Sequence, residues 1–202
     1  MIPKKIHQFW TGKPMPDVFV RWCAGWRTLH PEWEYRLWDI ESVYDLDEEV
    51  GEALITCNQT DSIKSDVARS AIVYHLGGVY LDTDFEPRKP LDPLLAQGMA
   101  AFIVPQGDEP AAAVFGSVPH GLWISLCREA ALSYAFSPPH WAPTVMCDLA
   151  RRYGVPFLDT DLFYPYKYWE HSAHKDDPFP DAYGVHRHAG SWCGGQPDVP
   201  KE

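Results

Sequence analysis

Asp-x-Asp occurs three times in the chain, at Asp45/Asp47, Asp82/Asp84 and Asp159/Asp161. Only the middle pair ends an apolar run, Val79-Tyr80-Leu81. Two carboxylates at the end of a strand can hold a hard divalent cation, Mn2+ or Mg2+, and leave coordination sites free for a diphosphate. The same two groups can instead be satisfied by backbone N–H groups, and the pair alone does not choose between these readings. Asp66 and Arg69 lie three apart and so share a helix face. They read either as an intrahelical ion pair or as a donor contact, with Arg69 aimed at a phosphate or sugar and Asp66 accepting from sugar hydroxyls. Near the end of the chain, His186-Arg187-His188-Ala189-Gly190-Ser191-Trp192 brings a histidine, a hydroxyl and an indole N–H together. These supply one metal ligand and two hydrogen-bond donors, unless the stretch is a surface loop. His171 and His174 resemble half a zinc site, but no glutamate of a His-Glu-x-x-His frame accompanies them, which argues against one.

The elements that must position these groups can be read from the pattern. Ser65 to Glu86 reads as a helix, a Gly77-Gly78 turn, a buried strand and the acidic pair. The helix runs from Ile63 to about Leu76, capped by Asp61 or Ser62, with Ile63, Val67, Ala71 and Tyr74 on its buried face. Gly77 and Gly78 end it in the left-handed C-cap geometry that glycine tolerates. Val79 to Asp82 shows no alternation, which predicts a strand buried on both faces of a parallel sheet. Ahead of it, a strand over Lys5–Trp10, a helix from the N-cap Asp17 to about Leu29 and a strand over Tyr35–Trp38 begin an α/β sheet. Ile40 to Cys57 holds short helices.

After it, Pro87, Pro90 and Pro93 force an irregular passage. Strands are predicted at Ala101–Val104, Ala112–Phe115 and Phe157–Asp159, and helices at Leu122–Ala135 and Thr144–Tyr153, with a loop over Ser137–Pro143. Phe163 to Gln196 has little periodicity, yet its aromatic content argues against disorder. In an open α/β sheet, ligands sit beyond the carboxyl ends of the strands, where Asp82 and Asp84 fall.

The chain has 202 residues, the size of one domain, with no internal repeat. Its net charge of -11 argues against a nucleic-acid partner and confines any membrane contact to a local patch. No apolar run is long enough to span a bilayer, and the N-terminus carries no uninterrupted apolar segment of the kind a signal peptide needs. Five scattered cysteines without a Cys-x-x-Cys fit free thiols in a reducing compartment. Nine tryptophans hint at stacking on sugars or bases, though large aromatics are more often core.

Four segments together resemble the glycosyltransferases with the DXD sugar-binding region. That family includes yeast α-1,6-mannosyltransferase initiators and bacterial capsular polysaccharide glycosyltransferases, with clostridial toxin glucosyltransferase domains as more distant relatives. The segments are Ile2 to Trp10, Trp38-Asp39, Ser65-Asp66-x-x-Arg69 through Gly77-Gly78-Val79-Tyr80-Leu81-Asp82-Thr83-Asp84, and His188-Ala189-Gly190-Ser191-Trp192. The resemblance implies one GT-A domain over residues 1–202, an α/β fold with a mostly parallel central sheet flanked by helices. Residues 163–202 would complete its active site. It also implies metal-dependent, retaining transfer of a hexose from a UDP- or GDP-linked donor to a glycan or other hydroxyl acceptor. Such an enzyme would serve polysaccharide biosynthesis in the cytoplasm, at the inner face of a membrane.

Carried over by position, Phe9 and Trp10 border the base, and Ser65, Asp66 and Arg69 hold the donor sugar. Tyr80 borders the ribose or sugar. Asp82 touches the ribose, the sugar or a metal-bound water, and Asp84 ligates the Mn2+ or Mg2+ ion directly. His188 is the third ligand, and Ser191 and Trp192 contact the diphosphate. The catalytic set is then Asp66, Arg69, Asp82 and Asp84.

Three departures stand out. Many relatives carry a Thr-Gly-Pro where this chain has Pro138-Pro139-His140-Trp141-Ala142-Pro143. The toxins have a glutamate in place of His188 and one more residue between serine and tryptophan. The chain is also short for the family. Two other functional classes remain open on the sequence. One is a nucleotide-sugar-binding protein without transfer, which should have lost an acidic residue or the tail histidine. The other is a metal-dependent sugar hydrolase, which needs a second facing carboxylate.

Overall fold

Gly77 and Gly78 set the geometry on which the fold turns. Gly77 closes its helix at φ 61° and ψ −169°, a region open essentially to glycine alone and not the left-handed helical cap expected from the sequence. Gly78 follows at φ 103°. A Cβ on Gly78 would lie 2.8 Å from both the Cβ and the carbonyl oxygen of Lys5. The helix therefore stops abruptly and the next strand runs tight against its neighbour.

The computed structural model describes residues 1–135 and 141–188. In chain order these form β1 (Lys5–Phe9), α1 (Asp17–Leu29), β2 (Glu34–Trp38), α2 (Ile40–Leu46), α3 (Glu48–Thr56), α4 (Asp61–Leu76), β3 (Gly78–Leu81) and β4 (Phe85–Pro87). There follow α5 (Asp92–Leu95), β5 (Ala101–Ile103), β6 (Val114–Ser117), α6 (Leu122–Tyr134), α7 (Trp141–Tyr153), α8 (His171–His174) and β7 (Gly184–His186), with 3-10 turns at Thr160–Leu162 and Tyr168–Glu170.

The central sheet has the order β2-β1-β3-β6-β5. β2, β1, β3 and β5 run the same way and β6 runs against them, so the sheet is mostly parallel, as expected. β3 is buried along its whole length. Val79 and Leu81 point into one core with Ile6, Trp26, Phe102 and Val114. Tyr80 points into the other with Val67, Ile72, Phe115 and Trp123. Each large apolar side chain so buried contributes about 1.5–3 kcal/mol. α1 covers the first face, and α2, α3, α4, α6 and α7 cover the second. The strand that carries the acidic pair is thus clamped from both sides.

Several boundaries differ from the sequence reading. α1 and α4 begin at Asp17 and Asp61, with Pro16 and Thr60 as N-caps, so neither aspartate is itself the cap. α7 starts at Trp141 and takes Pro143 into its first turn, where a missing N–H costs nothing. The rest of the loop expected before it lies largely outside the described residues. The strand expected at Ala112–Phe115 lies at Val114–Ser117, and the Ala112 carbonyl accepts from Arg69 instead of from a neighbouring strand. The strand expected at Phe157–Asp159 reduces to a single parallel bridge between Phe157 and Ile103.

One element was not foreseen. β4 and β7 form a separate antiparallel ribbon, with Phe85 opposite His186 and Pro87 opposite Gly184. Arg187 fastens it, placing Nε 2.7 Å and Nη2 2.6 Å from the Glu86 carboxylate.

Candidate active site

Asp82 leaves the end of β3 and Asp84 follows at the start of the turn into β4. The Asp82 backbone is fixed on both sides. Its N–H donates to the Ala113 carbonyl at 2.9 Å, and its carbonyl accepts from Gln8 Nε2 at 3.0 Å. Gln8 is itself buried in β1 and accepts from the Tyr35 hydroxyl at 2.7 Å.

The Asp82 carboxylate is held by α4. Arg69 Nη2 donates to Asp82 Oδ1 at 3.0 Å, and the Tyr80 hydroxyl donates to the same oxygen at 3.0 Å. Arg69 Nη2 also lies 3.0 Å from Asp66 Oδ1. Its Nη1 donates to the Ala112 carbonyl at 2.6 Å and its Nε to the Ser65 carbonyl at 3.2 Å. Both readings of the Asp66/Arg69 pair therefore contain part of the geometry. The pair does bridge within the helix, and Arg69 also crosses to the strand. Most of its donors are committed to protein, so Arg69 is a hub for two carboxylates more than a free phosphate clamp.

Charge in this corner is unbalanced. Asp66 and Asp82 share one arginine, Arg69, and Asp82 also faces the charge of Asp84. Burial pushes Asp66 up to about 6, against the pull of Arg69 and with added repulsion from Asp82. Burial likewise raises Asp82, with Arg69 opposing and Asp84 adding to it. Burial works against the charge of Arg69, but Asp82 and then Asp66 outweigh it and raise its pKa. Bringing like charges together in this way is what a bound cation relieves.

Asp82, Asp84 and His186 each offer a ligand atom, all within 4.8 Å of one another. His186 Nε2 lies 3.1 Å from Asp84 Oδ1. Its Nδ1 is buried and makes no hydrogen bond among the described residues. Burial disfavours charge on His186, but Asp84 and Asp82 overcome this and raise its pKa. Two carboxylates and one imidazole fit a divalent ion such as Mn2+ or Mg2+. The sequence reading placed His188 third, whereas the side chains that come together with the two aspartates include His186. His188 stands behind His186, ring centroids 4.3 Å apart, with φ 45°. In an extended chain residues 186 and 188 would share a side, but β7 ends at His186, which the β4–β7 register sets opposite Phe85. Burial, and then the charge of His186, push His188 down to about 3.

The pair opens into a cleft of about 840 Å3, a volume within the ordinary range for a cofactor-sized ligand. Phe9, Trp10, Ser65, Asp66, Arg69, Asp82, Asp84 and His186 all line it. Tyr80 does not, and so departs from expectation. It is fully buried, its hydroxyl lodged between Ser65 Oγ at 2.9 Å and Asp82, where it supports the carboxylate from behind. Ser191 and Trp192 lie outside the described residues. Sequence reasoning missed Tyr164 and Gln106 in the wall and Lys13, whose ammonium meets Asp61 at 2.5 Å across the mouth. Tyr164 precedes a proline in an unperiodic stretch and carried no signal. Its hydroxyl is buried against the acidic corner, which raises its pKa together with burial.

Residues 16–100 match the family described as a glycosyltransferase sugar-binding region containing a DXD motif. Inositol phosphoceramide mannosyltransferase 1 of Schizosaccharomyces pombe is 34% identical over 110 residues, which are 52% of this chain and 34% of that protein. The match thus spans about a third of that relative's length. Among solved structures, the PaToxG glycosyltransferase superposes with a TM-score of 0.56 at 14% identity, covering 75% of this chain and 69% of that one. The galactosyltransferase LgtC, solved with donor and acceptor sugar analogues, gives 0.54 at 14% identity, covering 90% and 86%. These likenesses show the GT-A fold, and the resemblance read from the sequence is borne out.

Proposed function

We propose that the chain is a glycosyltransferase that moves a hexose from a UDP- or GDP-linked donor to a hydroxyl of a glycan or other acceptor. Asp82, Asp84 and His186 would hold Mn2+ or Mg2+. The observation that carries this reading is the cluster of Asp82, Asp84 and His186, with ligand atoms within 4.8 Å of one another, at the carboxyl end of β3 inside the 840 Å3 cleft. A divalent ion there would offset charge that builds on a leaving diphosphate.

The chain's own residues do the rest. Phe9 and Trp10 offer apolar walls to the base, and Asp66 offers a carboxylate to sugar hydroxyls. Arg69 and Tyr80 keep Asp82 in one orientation, so little reorganisation accompanies the reaction. Ser191 and Trp192, from the segment 163–202, are assigned to the diphosphate on the resemblance alone. The bond from the anomeric carbon to phosphate breaks and one to the acceptor oxygen forms on the same face. The acceptor proton passes to the leaving phosphate. The retaining course is taken from the resemblance, and the hydrogen bonds that hold Asp82 to Arg69 and Tyr80 favour same-face attack over a covalent intermediate on that carboxylate.

The four described cysteines are free and buried, consistent with the reducing, cytoplasmic setting proposed, and no described helix is long and apolar enough to cross a membrane. Thermal shift against a panel of UDP- and GDP-sugars, with and without Mn2+, tests the reading. A ligand at a hundred times its dissociation constant adds about 2.7 kcal/mol. One donor should raise the melting temperature only with Mn2+, and Asp84→Asn should abolish the shift. A well-folded native chain that responds to no donor would refute it.

A further inference from the structure

A second, smaller cavity of about 180 Å3 adjoins the first and is lined by Gln106, Asp108, Glu109, Lys167 and Trp169. Gln106 lines both and is the residue they share. The floor is built. Gln106 and Glu109 exchange two backbone hydrogen bonds of 3.1 Å across a tight turn in which Gly107 has φ 63°. Thr160 Oγ1 accepts from the Gly107 N–H at 3.1 Å and donates to the Pro105 carbonyl at 3.1 Å, pinning the turn to the rest of the fold. Across the cavity, the 3-10 turn of residues 168–170 is closed by the Glu170 carboxylate, which accepts from the Lys167 N–H at 2.8 Å.

This wall presents a large aromatic face to water. Trp169 is 56% exposed and Tyr168 60%. The Tyr168 ring meets Trp169 edge-on at 4.9 Å, and Lys167 Nζ stands 5.0 Å from the Trp169 centroid. An indole left half in solvent beside two carboxylates, an ammonium and a carboxamide has the components that recognise a neutral cyclic polyol. The C–H face of such a ring packs on indole. Its hydroxyls donate to Asp108 and Glu109 and accept from Lys167 and Gln106. A phosphorylated ligand is disfavoured, because two carboxylates face one ammonium. The same excess repels an anionic bilayer.

We propose that this cavity is the acceptor subsite and that the acceptor presents a neutral polyhydroxylated ring, a hexopyranose or a cyclitol, to Trp169. The proposal deepens the transferase reading and rests on it for the word acceptor. The binding site itself stands on the geometry of the turn and the indole. Gln106 would sit at the junction, with the incoming hydroxyl directed past it toward the donor.

Saturation-transfer NMR on the intact chain tests this, with methyl α-mannoside, methyl β-galactoside, methyl α-glucoside and myo-inositol as probes. At least one probe should bind. Trp169→Ala should weaken that binding about tenfold, the loss of one stacking contact, and Asp108→Asn with Glu109→Gln should weaken it similarly. Both variants should keep the Mn2+-dependent thermal shift given by the donor. Asp84→Asn should lose that shift and keep ring binding. No bound probe, or binding indifferent to Trp169→Ala, overturns the proposal. So does a blue shift of tryptophan emission on phosphatidylcholine vesicles that is lost in Trp169→Ala, with no ring probe bound, which would make the aromatic pair a membrane contact. If no donor shifts the native chain while ring binding still depends on Trp169, the subsite stands and the transferase reading fails.

Discussion

Arg69 and Asp82 meet at 3.0 Å across the Gly77-Gly78 turn, thirteen residues apart in sequence. Arg69 is 5% exposed and holds Asp66 at the same distance. Removing it leaves two carboxylates facing each other without a counter-charge. Arg69→Ala should cost about 3–5 kcal/mol in urea unfolding, the usual penalty for breaking a buried pair. Arg69→Lys should fall between, since it restores charge but not the planar fork. A loss under about 1 kcal/mol for the alanine variant would show that water already shares the site.

The two neighbouring histidines should separate in a Mn2+ titration followed by electron paramagnetic resonance. His186→Gln is expected to abolish binding at concentrations that saturate the native chain, since its ring is the one within 4.8 Å of both carboxylates. His188→Gln should weaken binding about 10–100-fold, as an outer-shell change does. The opposite order would return the ligand role to His188.

Acid should weaken the fold through His7. Its ring is wholly buried, with Nε2–H donating to the Gly77 carbonyl at 2.9 Å and Nδ1 accepting from Trp38 Nε1 at 3.2 Å. Burial pushes its pKa down to about 4, against the Gly77 bond that raises it. The folded value thus lies below the ordinary unfolded one of about 6.5. Above pH 6.5 both states are neutral and the full stability is present. Between pH 6.5 and 4 the unfolded chain takes up the proton first, so stability drains away, by about 3 kcal/mol at the low end. Urea midpoints at pH 7.5, 5.5 and 4.5 should fall in that order. His7→Gln should flatten the slope, whatever it does to the absolute stability.

Gly78→Ala should destabilise by about 1–3 kcal/mol. Its φ of 103° is unsuited to a side chain and the new methyl would collide with the Lys5 backbone. Gly98→Ala is the control. Gly98 has φ 74° but open space around it, so a similar backbone penalty without the clash should cost less.

The acidic pair, its strand and the helix before it were legible because each signal was local. A run of Val79-Tyr80-Leu81, two glycines and a four-residue period are all visible within twenty residues. The Asp66/Arg69 pair was half legible. Spacing gave the shared helix face, but nothing in a sequence tells that Arg69 reaches over a turn to Asp82. The sequence pointed to His188 and not His186 because what brings His186 beside the acidic pair is pairing between Phe85 and a strand a hundred residues later. Strands of three residues are too short to show a period, so the ribbon that decides the matter is invisible until the chain folds.

That ribbon also has a consequence for synthesis. Both carboxylates leave the ribosome about a hundred residues before the histidine that faces them, and most of the sheet can assemble in between. A nascent chain stalled short of His186 would carry a pocket and its two acids without the imidazole that faces them. The three-residue cluster is therefore complete only once translation has passed the ribbon.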